Sequence, residues 1–171
     1  MPEFADFTDP LRKVTDDSLW NLMVEADLPS LRDGPRQPAL VDCLNSGLGE
    51  SALEVPNSLR PSCLSGLWLL AGDIDRSHTI SQDLPSREGS FLHGIMHRRE
   101  GDFGNAKYWF RRVGDHPVFE QLSQETQGVY DDPFDFVDAC SNATADNTPS
   151  LRQAQWLEWQ ALMCYIIDEV S

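Results

Sequence analysis

An all-α fold is what this sequence predicts, a compact array of about seven to nine antiparallel helices, and three observations carry it. Apolar residues recur at three- and four-residue spacing, Pro, Gly and Asx residues punctuate those stretches, and no alternating run of apolar and polar residues exceeds a few positions. Its 171 residues, 40% of them hydrophobic and five of them Trp, suffice for one helical domain over 1–171 with a real core.

The elements follow in order. Thr15-Asp16-Asp17-Ser18 places cap candidates and acids before Leu19, Trp20, Leu22 and Met23, a helix that Pro29 ends. Pro35 to Ser46 reads as a second helix, stopped by Gly47 and Gly49. Asn57-Ser58 is the expected cap of a third, with Pro61 in its first turn and Leu64, Leu67, Trp68 and Ala71 at helical spacing. Gly72-Asp73 ends that helix and caps another, to about Gln82. Pro85-Ser86 opens the helix carrying Phe91 to Glu100, and Gly101-Asp102 ends it and starts the next, to Gly114. Pro117 to Gln127 is a shorter helix, and Asp132-Pro133 is an N-cap followed by Pro at the first helical position. Ser150 and Gln153 have capping-box spacing for a terminal helix whose apolar arc is broad enough to be buried on two sides.

One internal repeat stands out. Ala71-Gly72-Asp73-Ile74 recurs as Glu100-Gly101-Asp102-Phe103 at an offset of 29 residues, each copy reading helix, Gly-Asp corner, helix. Such paired hairpins, here over about 58–114, are the unit of α-solenoids and give the centre of the chain a tetratricopeptide-like expectation.

Charge and cysteines narrow the function. A net charge of −15 with a pI near 4.4 repels phosphate backbones and anionic membranes, so neither nucleic acid nor a membrane is an expected partner. No secretory signal or membrane-length apolar run is visible, and Cys43, Cys63, Cys140 and Cys164 lack Cys-x-x-Cys spacing. Free thiols in a cytoplasmic protein are the expectation.

Residues 78–116 hold all four histidines, His78, His93, His97 and His116, and Phe91 to Gly114 carries an excess of three positive charges. On a helical wheel Phe91, Leu92, Ile95 and Met96 form the apolar face, and His93, His97 and Glu100 fall within about 60° of one another on the adjoining stripe. Imidazoles four residues apart suit a divalent ion such as zinc. Glu100 is the candidate third ligand, with His78 or His116 arriving from a neighbouring helix. Arg99 lies on the apolar side of the wheel and must find a carboxylate or backbone acceptor there. In the following helix Lys107 and Arg111 share one polar edge, Tyr108 and Arg112 another.

The run Leu92-His-Gly-Ile-Met-His-Arg-Arg-Glu-Gly-Asp, continuing through Asn105-Ala-Lys-Tyr-Trp-Phe-Arg-Arg-Val-Gly, resembles a block in a family of bacterial proteins with fungal relatives. Those proteins share a similar His-x-x-x-His-Arg-x-Glu helix and Tyr-Trp-Phe-Arg helix; the resemblance implies no particular activity.

Two functional expectations result. The leading one is a non-enzymatic binding or scaffold protein that presents His93, His97, Arg98, Lys107, Arg111 and Arg112 to an anionic small molecule or acidic peptide. Pairing of the same cations with the protein's own acids is the competing structural account. The alternative function is a metal-dependent, hydrolase-like enzyme using His93, His97 and Glu100.

Overall fold

Short polar side chains mark where five helices of this chain begin. The computed structural model describes residues 3–168, and among these the chain forms a 3-10 turn at Asp6–Thr8 and eleven α-helices. They are α1 (Asp9–Lys13), α2 (Asp17–Glu25), α3 (Pro38–Asn45), α4 (Leu48–Ser51), α5 (Arg60–Ala71), α6 (Ile74–Ser81), α7 (Arg87–Glu100), α8 (Phe103–Val113), α9 (Pro117–Glu125), α10 (Pro133–Ser141) and α11 (Thr148–Asp168). The expected caps act at α2, α6, α7, α8 and α10, where Asp16, Asp73, Ser86, Asp102 and Asp132 accept from backbone N–H groups of the first turn. The all-α class therefore holds, with the short α1 and α4 as additions.

Three boundaries differ from expectation. The helix expected from Pro35 starts at Pro38, because the preceding segment is drawn away as a strap whose Gln37 N–H donates to Ala71 O at 2.8 Å. Asn57 and Ser58 do not cap α5; Leu59 occupies the cap position without a side-chain bond. The Ser150/Gln153 box is not used either, since α11 begins at Thr148 and Ser150 Oγ donates to Asn147 O at 2.9 Å instead.

α11 lies at the heart of the core. Nearly every position from 154 to 164 is buried, and the helix packs on α1, α5, α9 and α10. Trp159 Nε1 donates to Gly66 O of α5 at 2.7 Å, so even its indole N–H is satisfied internally. The two hairpins, α5 with α6 and α7 with α8, pack on each other through α6 and α7. Each turns at a glycine in the left-handed region, Gly72 at φ 80° and Gly101 at φ 93°. All four cysteines are free, and burial pushes the thiols of Cys63 and Cys164 up to about 12, which leaves them packing groups rather than nucleophiles.

Of the two corners, Gly72 is the tighter. A Cβ there would lie 2.8 Å from Pro35 O and 3.2 Å from Arg36 Cα, both backbone atoms of the strap, in a conformation that L residues adopt at a cost of about 1–2 kcal/mol. Gly72→Ala is expected to lower stability by roughly 2 kcal/mol or more, and Asp73→Ala by about 1 kcal/mol through loss of the cap. Urea unfolding followed by circular dichroism measures both; wild-type stability in Gly72→Ala would contradict the packing described.

Candidate metal centre

Helix α7 is unusual in being buried around most of its circumference, every residue from Gly89 to Arg99 included. Five of these carry polar or charged side chains, so each must find a partner inside the protein. Their partners lie in different directions. Arg98, fully buried, donates from Nη1 to Glu158 Oε1 of α11 at 2.8 Å, and from Nη2 to Glu158 Oε2 and Gln155 Oε1. Its guanidinium also lies over the Phe136 ring of α10, 4.6 Å from the centroid. The Glu158 carboxylate, equally buried, holds the Arg98 pKa above its ordinary value despite burial.

Arg99 turns the other way, and its Nη1 donates to Leu69 O in the last turn of α5, the electronegative end of that helix. Burial first, and then the neighbouring Arg98 charge, depress Arg99 to about 10, so it stays protonated at neutral pH. The expectation that Arg99 must find a backbone or carboxylate acceptor is met by this carbonyl.

The third direction, toward α6, holds the histidines. His93 and His97 sit one turn apart on α7 and are 2% and 8% exposed. His78 of α6, partly exposed, closes a triangle with them. Ring centroids lie 4.7 Å apart for His93 and His97, 4.8 Å for His78 and His93, and 5.5 Å for His78 and His97. One ring nitrogen from each falls within 4.8 Å of the others. A tetrahedral ion binding three imidazoles at about 2.1 Å sets ring centres about 5 Å apart, near the spacings found here.

Second contacts orient two of the rings. His93 Nδ1 is 2.9 Å from Ser81 Oγ, which α6 brings in one turn after His78. His97 Nδ1 is 3.0 Å from Glu100 Oε2. With Nδ1 engaged in each ring, Nε2 is the nitrogen left for an ion, the division of labour common in histidine metal sites. Trp109 of α8 covers His93 with ring centres 4.2 Å apart and helps keep water from that side. Burial, then His97 and His78, depress the His93 pKa from 6.5 to about 4, which holds this imidazole in the neutral form a metal requires.

The expected site residues thus separate. His93 and His97 come together, and of the two histidines expected from a neighbouring helix it is His78 that joins them, while Glu100 lies outside the triangle. Glu100 sits at the end of α7, half exposed, beside His97 Nδ1, and with Asp102 forms a second, exposed carboxylate group around His97. His116 is elsewhere, capping α9 through Val118 N–H and lying 3.4 Å from Glu88.

Arg98 is a correction to the ligand-binding set, because it is sealed inside by Glu158 and cannot meet an outside partner. Lys107 pairs with Asp138 of α10 at 2.7 Å, as the structural account of the cations expects. Arg111 and Arg112 are exposed, with Arg112 stacked 5.2 Å from the Trp109 ring centre. The basic island is therefore three sets of groups facing different ways. Ser81 and Glu158 escaped sequence reasoning. Glu158 left a signal, the one charged residue between Arg152 and Asp168, whereas Ser81 left none.

Compared with protein families, curated proteins and solved structures, the chain finds no match.

Two outcomes test this geometry. Arg98→Met alone strands a buried carboxylate and is expected to cost about 3–5 kcal/mol, whereas Arg98→Met with Glu158→Leu should recover most of that loss. Chemical denaturation of both variants separates a paired from a merely adjacent arrangement. For the metal-free protein, the folded state keeps His93 neutral down to about 4 while the unfolded chain takes up that proton near 6.5. The unfolded state then binds more protons between those values, so acid lowers stability through that window. His93→Gln is expected to flatten the pH 4–6.5 limb of the stability profile; an unchanged limb would place the titration elsewhere.

Proposed function

We propose that this protein binds a divalent transition metal of the zinc class through His78, His93 and His97. The observation that carries this reading is the convergence of three imidazoles from two helices at ring spacings near those of a tetrahedral ion, with Ser81 and Glu100 positioned as outer partners. Three nitrogen ligands and one remaining position suit a site where a bound water loses its proton near neutral pH, so metal-assisted hydrolysis is the chemistry the arrangement favours. His78, the most accessible of the three, marks the side from which ion and substrate enter.

An anionic-partner surface on the same hairpins has weaker support. Arg98 is withdrawn into the core and Lys107 is neutralised by Asp138, leaving Arg111 and Arg112 as its exposed cations.

Metal analysis after dialysis against one equivalent of zinc is the direct test. Wild-type protein is expected to retain one ion, and the His93→Ala/His97→Ala double variant none, with the helical signal kept in both. Ser81→Ala should retain the ion with affinity about 10–100-fold lower, as loss of an outer partner usually does. A folded wild-type protein that holds no zinc after this treatment would refute the proposal.

A further inference from the structure

Away from the histidines, the strap between α2 and α3 forms one wall of an open groove of about 1060 Å³ whose other wall is the start of α11. The strap is held down on both hairpin corners, by Gln37 N–H to Ala71 O and by Asp33 N–H to Arg99 O, each at 2.8 Å. Both bonds end on the last residues of a helix, so the strap is fixed to rigid elements rather than free to drift. It brings Arg32 and Arg36 to the groove, and α11 supplies Arg152 from the opposite side.

The contacts of these three guanidinium groups orient them without saturating them. Arg32 lies over the Phe103 ring at 4.3 Å, with one edge bond of 3.5 Å to Ser141 O. Among the described residues Arg152 donates to the carbonyls of Leu28 and Pro29. Arg36 meets Asp73 at 3.4 Å and remains more than half exposed. Each guanidinium has five N–H donors in a planar fork that matches phosphate oxygens in pairs, so most of the donor capacity here is unspent. Glu3 and Asp27 are the carboxylates in the lining and Asp73 stands beside Arg36, so the groove is close to neutral in a protein of −15.

We propose that this groove is a binding site for a small phosphorylated molecule bearing at least two grouped negative charges, of the diphosphate class. A singly charged anion gains little against the acidic field of the whole protein. A diphosphate offers several oxygens to guanidinium forks, and the groove of about 1060 Å³ admits a further organic part of the ligand. Binding is short-ranged and weakens with salt, because the favourable charge is local. The site shares no residue with the three-histidine centre.

Isothermal titration with inorganic pyrophosphate tests this, at low ionic strength, on protein stripped of metal and exchanged into chelator-free buffer, so that a metal-bound phosphate cannot contribute. Saturable one-to-one binding is expected for the wild type. Affinity should fall at least tenfold in Arg32→Gln/Arg36→Gln, fall less in Arg32→Lys/Arg36→Lys, and stay within twofold in the Arg111→Gln/Arg112→Gln control. Gln153→Glu, an exposed substitution in the groove wall, should also weaken binding at least tenfold, and it decides the matter if the arginine variant unfolds. No saturable heat with wild-type protein, or wild-type affinity in folded Gln153→Glu, would overturn the proposal. Failure of zinc binding leaves this result unaffected.

Discussion

The bidentate pair between Arg98 and Glu158 is the contact on which the functional geometry of this protein depends. It ties α7 to α11, the helix around which the core is built, and both side chains are fully buried. A pair of this kind contributes little net stability compared with apolar packing of equal volume, because desolvation offsets the attraction. What it does constrain is rotation. Arg98 must face α11, Arg99 must face the carbonyl end of α5, and His93 and His97 must face α6, and one rotational setting of α7 satisfies all three. Buried polar networks specify a unique arrangement in this way because any alternative leaves a charged group unpaired.

That constraint joins the fold to the chemistry. The helix whose orientation is pinned by arginines is the helix that carries the paired histidines, so the imidazole triangle is fixed without a disulfide or a strand. Placement on rigid helices rather than on loops favours a site held to narrow geometry. Ser81 and Glu100 then set the two α7 rings, and Trp109 closes the side facing α8.

The same packing explains why the basic stretch is not a basic surface. Five cations within 98–112 look like one patch when counted along the chain, yet two of them are internal cross-braces and a third is paired with Asp138. The guanidinium groups that do share a cavity, Arg32 and Arg36 of the strap and Arg152 of α11, come from opposite ends of the chain and meet only because the strap crosses both Gly-Asp corners.

Nine of the eleven described helices, the caps of five of them and both corners were legible in the linear chain, because capping and helical spacing are local interactions within a few residues. Asp16, Asp73, Ser86, Asp102 and Asp132 each act on N–H groups two or three positions on, and Gly72 and Gly101 need only their own backbone angles. The His93/His97 pair was legible for the same reason. Which residue would complete it was not: on its own helix Glu100 is as well placed as any ligand, and only the packing of α6 on α7 puts His78 there instead. Likewise the wheel of α7 marks Arg98 and Arg99 as neighbours but cannot say what lies opposite them. Their acceptors come from 60 residues after Arg98 and 30 before Arg99, distances over which the chain carries no local rule and tertiary packing alone decides.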